Sequence, residues 1–309
     1  MEISIVVPIY NEEENVALLH ESISNVMEKM NKRYEIIMVD DGSSDTTLTV
    51  LKQRQKNDPY LKVIKFRGNF GQSAAMAAGF EAAQGKYVVA MDGDLQNDPE
   101  DIPMLLNKLE EGYDVVSGWR KNRKDKLILR KVPSKIANRL ICSVTGVELH
   151  DTGCSLKAFR REIIKRIRLY GELHRFIPAL ARLEGAKITE VVVNHHERKY
   201  GESKYNITRT FRVIMDLTSL NLFIKYLRNP LRFFGTLALF SLLLAGFTTV
   251  WAGVVLAQNN FEPTSINILT TLIFLLMVTM FQFIFIGLLA TLIVHTGKKK
   301  SFYLIESYQ

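Results

Sequence analysis

Short apolar runs alternate with stretches of helical periodicity from the start of the chain. Ile3 to Tyr10 (ISIVVPIY) reads as a buried strand. Glu12 to Met30 reads as a helix, and Glu12, Glu13 and Glu14 suit the positive end of its dipole. YEIIMVDDGS predicts a second strand ending at Asp40 and Asp41, and Asp45 to Gln55 the next helix. LKVIKFR is a third strand. Ser73 to Gln84 is Ala-rich and helical, with Gly85 placed as its C-terminal stop. KYVVAMDGD and DVVSGWR give a fourth and a fifth strand, and ITEVVV a further one before a basic loop. Strands with little polar interruption, separated by helices, predict an α/β fold of Rossmann type: a mostly parallel sheet covered on both faces.

After Asn229 the pattern changes. Phe233 to Ala257 and Ile266 to Val294 are each long enough to cross a hydrocarbon core of about 30 Å, and neither contains Lys, Arg, Asp or Glu. The loop between them, Gln258 to Ser265, carries only Glu262. The outer flanks carry Lys225, Arg228 and Arg232 on one side and Lys298, Lys299 and Lys300 on the other. The positive-inside rule then places both chain ends in the cytoplasm. Ile207 to Leu227 reads as one or two amphipathic helices: Ile207, Phe211 and Ile214 share a face, while Arg209 and Arg212 point elsewhere. Such a segment suits an anionic bilayer surface; a core-packed helix is the alternative. The expected organisation is a cytoplasmic catalytic domain over 1–205, amphipathic juxtamembrane helices over 206–229, and a membrane domain over 230–309. The last holds transmembrane helices at about 233–257 and 266–294 and a short cytoplasmic tail. MEISIVVPIYNEEEN does not read as a secretory signal: it lacks a basic leading region, and Pro8 interrupts its apolar run.

The formal net charge of +8 over 309 residues suits an anionic membrane or anionic substrates. No zinc-finger spacing, basic zipper or aromatic RNA-binding signature accompanies it, which argues against nucleic acid. Two cysteines, Cys142 and Cys154, supply neither a disulfide framework nor a zinc site, and fit free thiols in a reducing compartment.

The candidate chemistry lies at the predicted strand ends, where open α/β sheets bind ligands. Tyr10-Asn11-Glu12, Asp40-Asp41-Gly42-Ser43 and Asp92-Gly93-Asp94 would converge on one edge. Carboxylates so close repel, and a divalent cation removes the cost. In MDGDLQ, Asp92 and Asp94 can face one hard cation such as Mg2+ or Mn2+, which keeps substrate phosphate oxygens in its shell. GxxxxGK[ST] is absent, so a P-loop does not hold the phosphates. A basic cluster, SGWRKNRKDKLILRKVPSKIANRL, contains Arg120, Arg130, Ser134 and Asn138; a solvated loop is the alternative reading. ELHDTGCSLKAFRR offers Asp151, with a turn-capping Asp as its alternative. HHERKYGESKYN offers Arg198, Gly201, Ser203 and Lys204 in a loop able to close over a diphosphate. His195 and His196 are adjacent on a strand and point to opposite faces, which argues against zinc.

VVPIYNEEENV, VDDGSSDTT, FRGNFGQSAAMAAGF and AMDGDLQNDPE, in that order, resemble the motifs of inverting family 2 glycosyltransferases with the GT-A fold. The resemblance is to the branch of dolichol-phosphate mannose synthases and bacterial polyprenyl-phosphate glucosyltransferases, and it covers nearly the whole chain. It implies that Pro8, Tyr10 and Glu12 contact the nucleotide and that Asp40 or Asp41 holds its uracil or ribose end. Asp92 and Asp94 would organise the metal and diphosphate, with Gln96 as a further ligand and Lys204 closing on the donor. Arg120, Arg130 and Ser134, with Arg198, would meet the acceptor phosphate, a task for which Arg has the matching planar fork. Asp151 matches the carboxylate that acts as general base in relatives with hydroxyl acceptors. A lipid phosphate is already ionised near neutral pH, so here Asp151 would orient acceptor or sugar, or accept a residual proton.

The expected function is inverting transfer of one sugar, glucose from UDP-glucose, to a polyisoprenyl phosphate such as undecaprenyl phosphate, in cell-envelope glycosylation at a bacterial-type plasma membrane. Mannose or another sugar on a dolichol-type phosphate is the alternative. A lipid-binding scaffold or flippase subunit is a further one, which the acidic strand ends oppose. A processive polysaccharide synthase is disfavoured: neither Trp119 nor Trp251 completes a Q-x-x-R-W sequence, and the membrane helices are too few. The resemblance also implies a homo-oligomer, with a tetramer as its suggested size.

Overall fold

The computed structural model describes residues 1–121, 147, 149–169, 171, 173–197, 230–258, 266–296 and 305–308, with side chains up to 293. It divides into two units: 1–217 with 301–309, and 218–300.

The first unit is built on an eight-stranded sheet. Its strands are β1 (Ile3–Ile9), β2 (Tyr34–Asp40), β3 (Leu61–Phe66), β4 (Tyr87–Ala90), β5 (Val115–Trp119), β6 (Lys157–Arg160), β7 (Ile188–Val192) and β8 (Ile305–Tyr308), in the order β7-β5-β6-β4-β1-β2-β3-β8. β4, β1, β2 and β3 are parallel neighbours, and β5 pairs with β7 in the same sense. β6 is antiparallel between β4 and β5, and β8 is antiparallel on β3. The mostly parallel α/β sheet expected from the sequence is therefore present.

Alternation along the strands supplies both faces. Ile5, Val7 and Ile9 of β1, with Ile36 and Met38 of β2, enter one core; Val6, Ile37 and Val39 enter the other. The first face is covered by α1 (Val16–Met30), α2 (Thr47–Asn57) and α4 (Ile102–Glu110). On α4, Ile102, Leu105, Leu106 and Leu109 make the buried stripe at helical spacing. The second face takes α3 (Gln72–Ala82), a four-residue α5 (Arg161–Ile164) and α6 (Ile177–Leu183). α3 approaches so closely that a Cβ on Gly79 would meet Val6 Cγ1 at 2.3 Å. Each fully buried aliphatic side chain contributes about 1.5–3 kcal/mol of transfer free energy.

Three local expectations are revised. The first helix begins at Val16, because Glu12 accepts from the backbone of Asn15 and Val16 in a turn that precedes it. The third ends at Ala83 in an extended conformation, so Gly85 does not stop it. Gly85 instead passes so near β1 that a Cβ would lie 2.6 Å from the Ile3 carbonyl carbon, and its N–H donates to Ser4 Oγ at 2.8 Å. Ser4 in turn donates to Glu35 at 2.6 Å, a fully buried carboxylate also held by Lys62 Nζ and the Gln84 N–H, each at 2.7 Å. Finally, the residues read as a tail contain β8, which returns to the sheet.

The second unit is a hairpin of α7 (Pro230–Gln258) and α8 (Asn267–Thr296). Both are long and apolar enough to cross a membrane, and only 22% and 11% of their most apolar windows are buried. A soluble core helix would be mostly enclosed. Ala238, Ser241, Ala245, Thr248 and Ala252 form the buried stripe of α7, the small-residue seam that lets apolar helices pack closely. Thr271, Thr279 and Thr291 return their hydroxyls to carbonyls four residues back, leaving no orphan donor on those turns. The amphipathic segment expected over 206–229 lies outside the described residues.

Candidate active site

β1, β2 and β4 end on one edge of the sheet, with Ile9 level with Asp40. The loops that follow β1 and β2 are clasped together. Asn11 N–H donates to Ser43 Oγ at 3.0 Å, Ser44 N–H to Asn11 Oδ1 at 2.9 Å, and Glu12 N–H to Thr47 Oγ1 at 3.0 Å. Asn11 takes a left-handed φ of 54°, a region Asn tolerates better than most residues. The Glu12 carboxylate accepts from Asn15 Nδ2 at 2.6 Å, and Tyr10 is exposed beside it. Pro8 is half-buried in β1 opposite Val39.

Asp40 and Asp41 differ. Asp40 is fully buried; its Oδ1 accepts from Ser43 N–H at 3.2 Å, while no hydrogen bond to Oδ2 occurs among the described residues. Asp41 spends Oδ1 on Phe70 N–H at 2.7 Å and Oδ2 on Gly71 N–H at 2.9 Å. Burial pushes the pKa of both above the usual carboxylate value.

The D-G-D turn lies against the end of β1. A Cβ on Gly93 would sit 2.7 Å from Ile9 Cδ1, so any other residue there would have to push the tip of that side chain aside. Leu95 follows with a φ of 60°, a strained choice for a residue with a branched side chain. Such strain gathers at functional turns. Asp92 is half-buried and accepts from Gln72 Nε2 at 2.7 Å; Ser155 also hydrogen-bonds it, and Asn97 Nδ2 donates to Ser155 Oγ at 2.7 Å. Asp94 is buried and accepts from Gln96 N–H at 3.2 Å. The Gln96 carbonyl accepts from His196 N–H at 2.9 Å. Burial, then the charge of Asp94, pushes the Asp92 pKa up.

No group of three His, Cys, Asp or Glu able to hold a metal occurs among the described residues. Two carboxylates on one turn, repelling each other, nonetheless suit a hard cation whose remaining ligands are substrate oxygens and water.

The second cluster forms where β5 ends. Arg120 grips Asp151 bidentately, Nε to Oδ2 at 2.7 Å and Nη2 to Oδ1 at 3.0 Å, and its N–H also donates to Oδ2 at 3.3 Å. Gly153 N–H adds a bond to Oδ1 at 3.1 Å. Burial alone would raise the Asp151 pKa, but Arg120 holds it below the usual carboxylate range. Trp119 stacks on His150 with ring centroids 4.2 Å apart, and His150 pairs with Glu190. Lys157 on β6 is buried, its ammonium bonded to the Cys154 carbonyl; burial pushes its pKa down. The charges of Arg120 and Lys157 both reach Asp92, so the two clusters adjoin.

Pro8, Tyr10, Glu12, Asp40, Asp41, Asp92, Asp94 and Gln96 thus share one rim, and Arg120 and Asp151 form a pair. Arg130, Ser134, Asn138, Arg198, Gly201, Ser203 and Lys204 lie outside the described residues. Gln72, Ser155 and Lys157 were missed by the sequence reading. Gln72 was in plain view within FRGNFGQSAAMAAGF, but its partner is a carboxylate twenty residues away.

The family model described as Glycosyl transferase family 2 matches residues 4–168. The chain belongs to that family. A dodecaprenyl-phosphate galacturonate synthase of Rhizobium johnstonii is 50% identical over 243 residues, 77% of this chain and 72% of that protein. An undecaprenyl-phosphate 4-deoxy-4-formamido-L-arabinose transferase of Salmonella choleraesuis is 41% identical over 218 residues, 70% of this chain and 66% of that protein. The rest of that protein's length lies outside the match. Among solved structures, mannosyl-3-phosphoglycerate synthase from Rubrobacter xylanophilus superposes with a TM-score of 0.56 at 16% identity, covering 72% of this chain and 74% of that one. Glucosyl-3-phosphoglycerate synthase from Mycobacterium tuberculosis, in complex with Mn2+ and uridine-diphosphate-glucose, gives 0.53 at 22% identity over 71% and 78%. These likenesses are of fold, and the sheet unit of this family 2 glycosyltransferase is a GT-A domain.

Proposed function

We propose that this glycosyltransferase moves a single sugar from a nucleotide-sugar to a polyisoprenyl phosphate at a membrane surface, with inversion at the anomeric carbon. The observation that carries the reading is the pairing of two unlike sites at the end of one sheet. The strand-end carboxylates Asp40, Asp41 and Asp92, held by backbone and amide N–H groups, adjoin an Arg-bearing cluster. The first suits a diphosphate with its counter-cation, the second a phosphate acceptor. The two relatives, named for transfer to dodecaprenyl and undecaprenyl phosphate, supply the acceptor class. The hairpin of α7 and α8 would bring such an acceptor to the enzyme, and chain on both sides of it belongs to the sheet unit. With the basic flanks, this supports a cytoplasmic catalytic domain and cytoplasmic ends.

Asp92 and Asp94 would hold Mg2+ or Mn2+; a fold neighbour was crystallised with Mn2+ and uridine-diphosphate-glucose, and such an ion would neutralise charge developing on a departing diphosphate. The rim of Pro8, Tyr10 and Glu12 meets the nucleotide, with Asp40 as the carboxylate nearest its base or ribose. An acceptor phosphate oxygen forms the new bond to the anomeric carbon while the bond to the nucleoside diphosphate breaks, so a weakly basic nucleophile already carries its charge. Asp151 is therefore not needed as a base, and Arg120 keeps it ionised. Its task is to aim the guanidinium; Arg130, Ser134 and Arg198 would complete the phosphate site. The relatives' names favour galacturonate or a modified arabinose over glucose as the sugar.

Purified full-length protein should be incubated with undecaprenyl phosphate and a panel of UDP-galacturonate, UDP-glucose, GDP-mannose and a UDP-linked amino-arabinose, with and without Mn2+. A glycolipid of the mass of one added sugar, dependent on cation and formed with inverted configuration, is expected. No product from any donor sinks the assignment, and a retained configuration sinks the displacement.

A further inference from the structure

We propose that Gln72 is the residue that positions Asp92, and that Asp41 acts on the D-G-D turn through Gln72 rather than by touching the nucleotide. The inference rests on the reading of Asp92 and Asp94 as the cation anchor.

The β3–α3 loop laces three parts of the site together. Both oxygens of Asp41 are taken by the successive N–H groups of Phe70 and Gly71, and the side chain is buried, so little of it remains to meet a ligand. Gly71 reverses the chain with a φ of 92°, and α3 starts at the next residue. Gln72 thereby reaches the turn after β4 and donates to Asp92 Oδ1 at 2.7 Å. Ser73 is fixed on the other side, its hydroxyl within 2.8 Å of His174 Nδ1 and accepting from His174 N–H at 3.2 Å. Gly42 closes the lacing, since a Cβ there would lie 2.5 Å from the Gly68 carbonyl carbon.

The choice of an amide has a chemical reason. A Lys or Arg at this place would neutralise Asp92 and compete with the cation. A Gln donates one hydrogen bond, fixes the rotation of the carboxylate, and leaves its full charge for the metal. Asp41 does the same to the loop one step back. The β2 strand end is thereby tied to the cation site through backbone and one amide, without any group of Asp41 entering it.

The test uses full-length protein in detergent, Mn2+ alone as the probe, and the thermal midpoint as a second readout. Gln72→Met keeps the length of the side chain and removes the donor. Its Mn2+ affinity is expected to fall about ten- to a hundredfold, in keeping with the loss of one hydrogen bond to a charged group, with its midpoint near that of the parent. Asp41→Asn should lower Mn2+ affinity in the same direction, and the double variant should bind no more weakly than the weaker single, because both act along one path. Should Asp41→Asn not fold, Gln72→Met alone decides. Unchanged Mn2+ affinity in Gln72→Met overturns the role of Gln72, and losses that multiply in the double variant overturn the path from Asp41. If the parent protein itself ignores Mn2+, the cation site is wrong and this inference goes with it.

Discussion

The carboxylates at the end of this sheet fall into two groups in opposite electrostatic states. Asp40, Asp41 and Asp92 are held by neutral donors, the N–H groups of Ser43, Phe70 and Gly71 and the amide of Gln72, and burial pushes their pKa values up. Asp151, half-buried, lies in the fork of Arg120 and is held down. Neutral donors fix geometry and leave charge uncancelled. That suits a site whose counter-charge arrives with its substrate. The Arg120–Asp151 pair has met its charge in advance, so in the proposed reaction it would orient rather than take a proton. Buried polar groups cost stability unless matched, and the first group is matched only in part.

Asp94→Asn tests the contrast most severely. Removing one of two repelling carboxylates should lower sugar transfer by about three orders of magnitude, the scale of several kcal/mol of lost charge stabilisation at the leaving group. The same change should leave the thermal midpoint of the unliganded protein unchanged or higher. A drop in midpoint alongside the lost activity would mean that the acidic turn is a structural feature after all.

On the other side the sign reverses. Arg120→Ala strands Asp151, and breaking a largely enclosed pair costs about 2–4 kcal/mol, discounted from the fully buried figure because the side chains keep 11% and 18% exposure. Chemical unfolding should show that loss, while Asp151→Asn, which keeps an acceptor for Arg120, should lose less. Equal losses in the two variants would erase the distinction between the clusters.

Much of this layout was legible beforehand. Short, nearly uninterrupted apolar runs and the Asp, Gly and Asn residues at their ends marked β1, β2 and β4 and the rim they share, because parallel strands put those ends together without further information. β6 was not legible: LKAFR is short, and its burial follows from insertion between β4 and β5. For the same reason nothing in the sequence marked Lys157, which the sheet encloses. The Arg120–Asp151 pair was suspected as two residues near one acceptor, but a contact across 31 positions leaves no trace in periodicity. The return of β8 had no signal either, since its pairing partner is distant in the chain.

The lacing between β2 and the β3–α3 loop gives a smaller, purely structural test. Gly42→Ala must place a methyl group 2.5 Å from the Gly68 carbonyl carbon at a φ of 69°, and should cost about 2–3 kcal/mol. Gly68→Ala, where a Cβ meets nothing within 4 Å, should be close to neutral by the same unfolding measurement. If both are tolerated, the loop is not packed on the β2 end, and the neutral-donor group loses its scaffold.

The gentlest probe is pH, for which only the sign is set. Asp40 and Asp41 have folded pKa values above the ordinary 3.8, so between that value and their raised values the folded state binds more protons than the unfolded one. Stability contributed by these groups therefore rises as pH falls from neutral toward the ordinary carboxyl range. Asp151 and Glu35 have lowered folded values; their stabilisation is present above the ordinary carboxyl range and is lost as pH falls through the folded values. The unliganded protein should show a thermal midpoint that climbs on mild acidification and then collapses at lower pH. Asp40→Asn should flatten the climb and leave the collapse in place, whereas Asp151→Asn should do the reverse. A midpoint that only falls from neutral pH downward would show that the strand-end carboxylates are already neutralised in the free enzyme, and the two clusters would then be electrostatically alike.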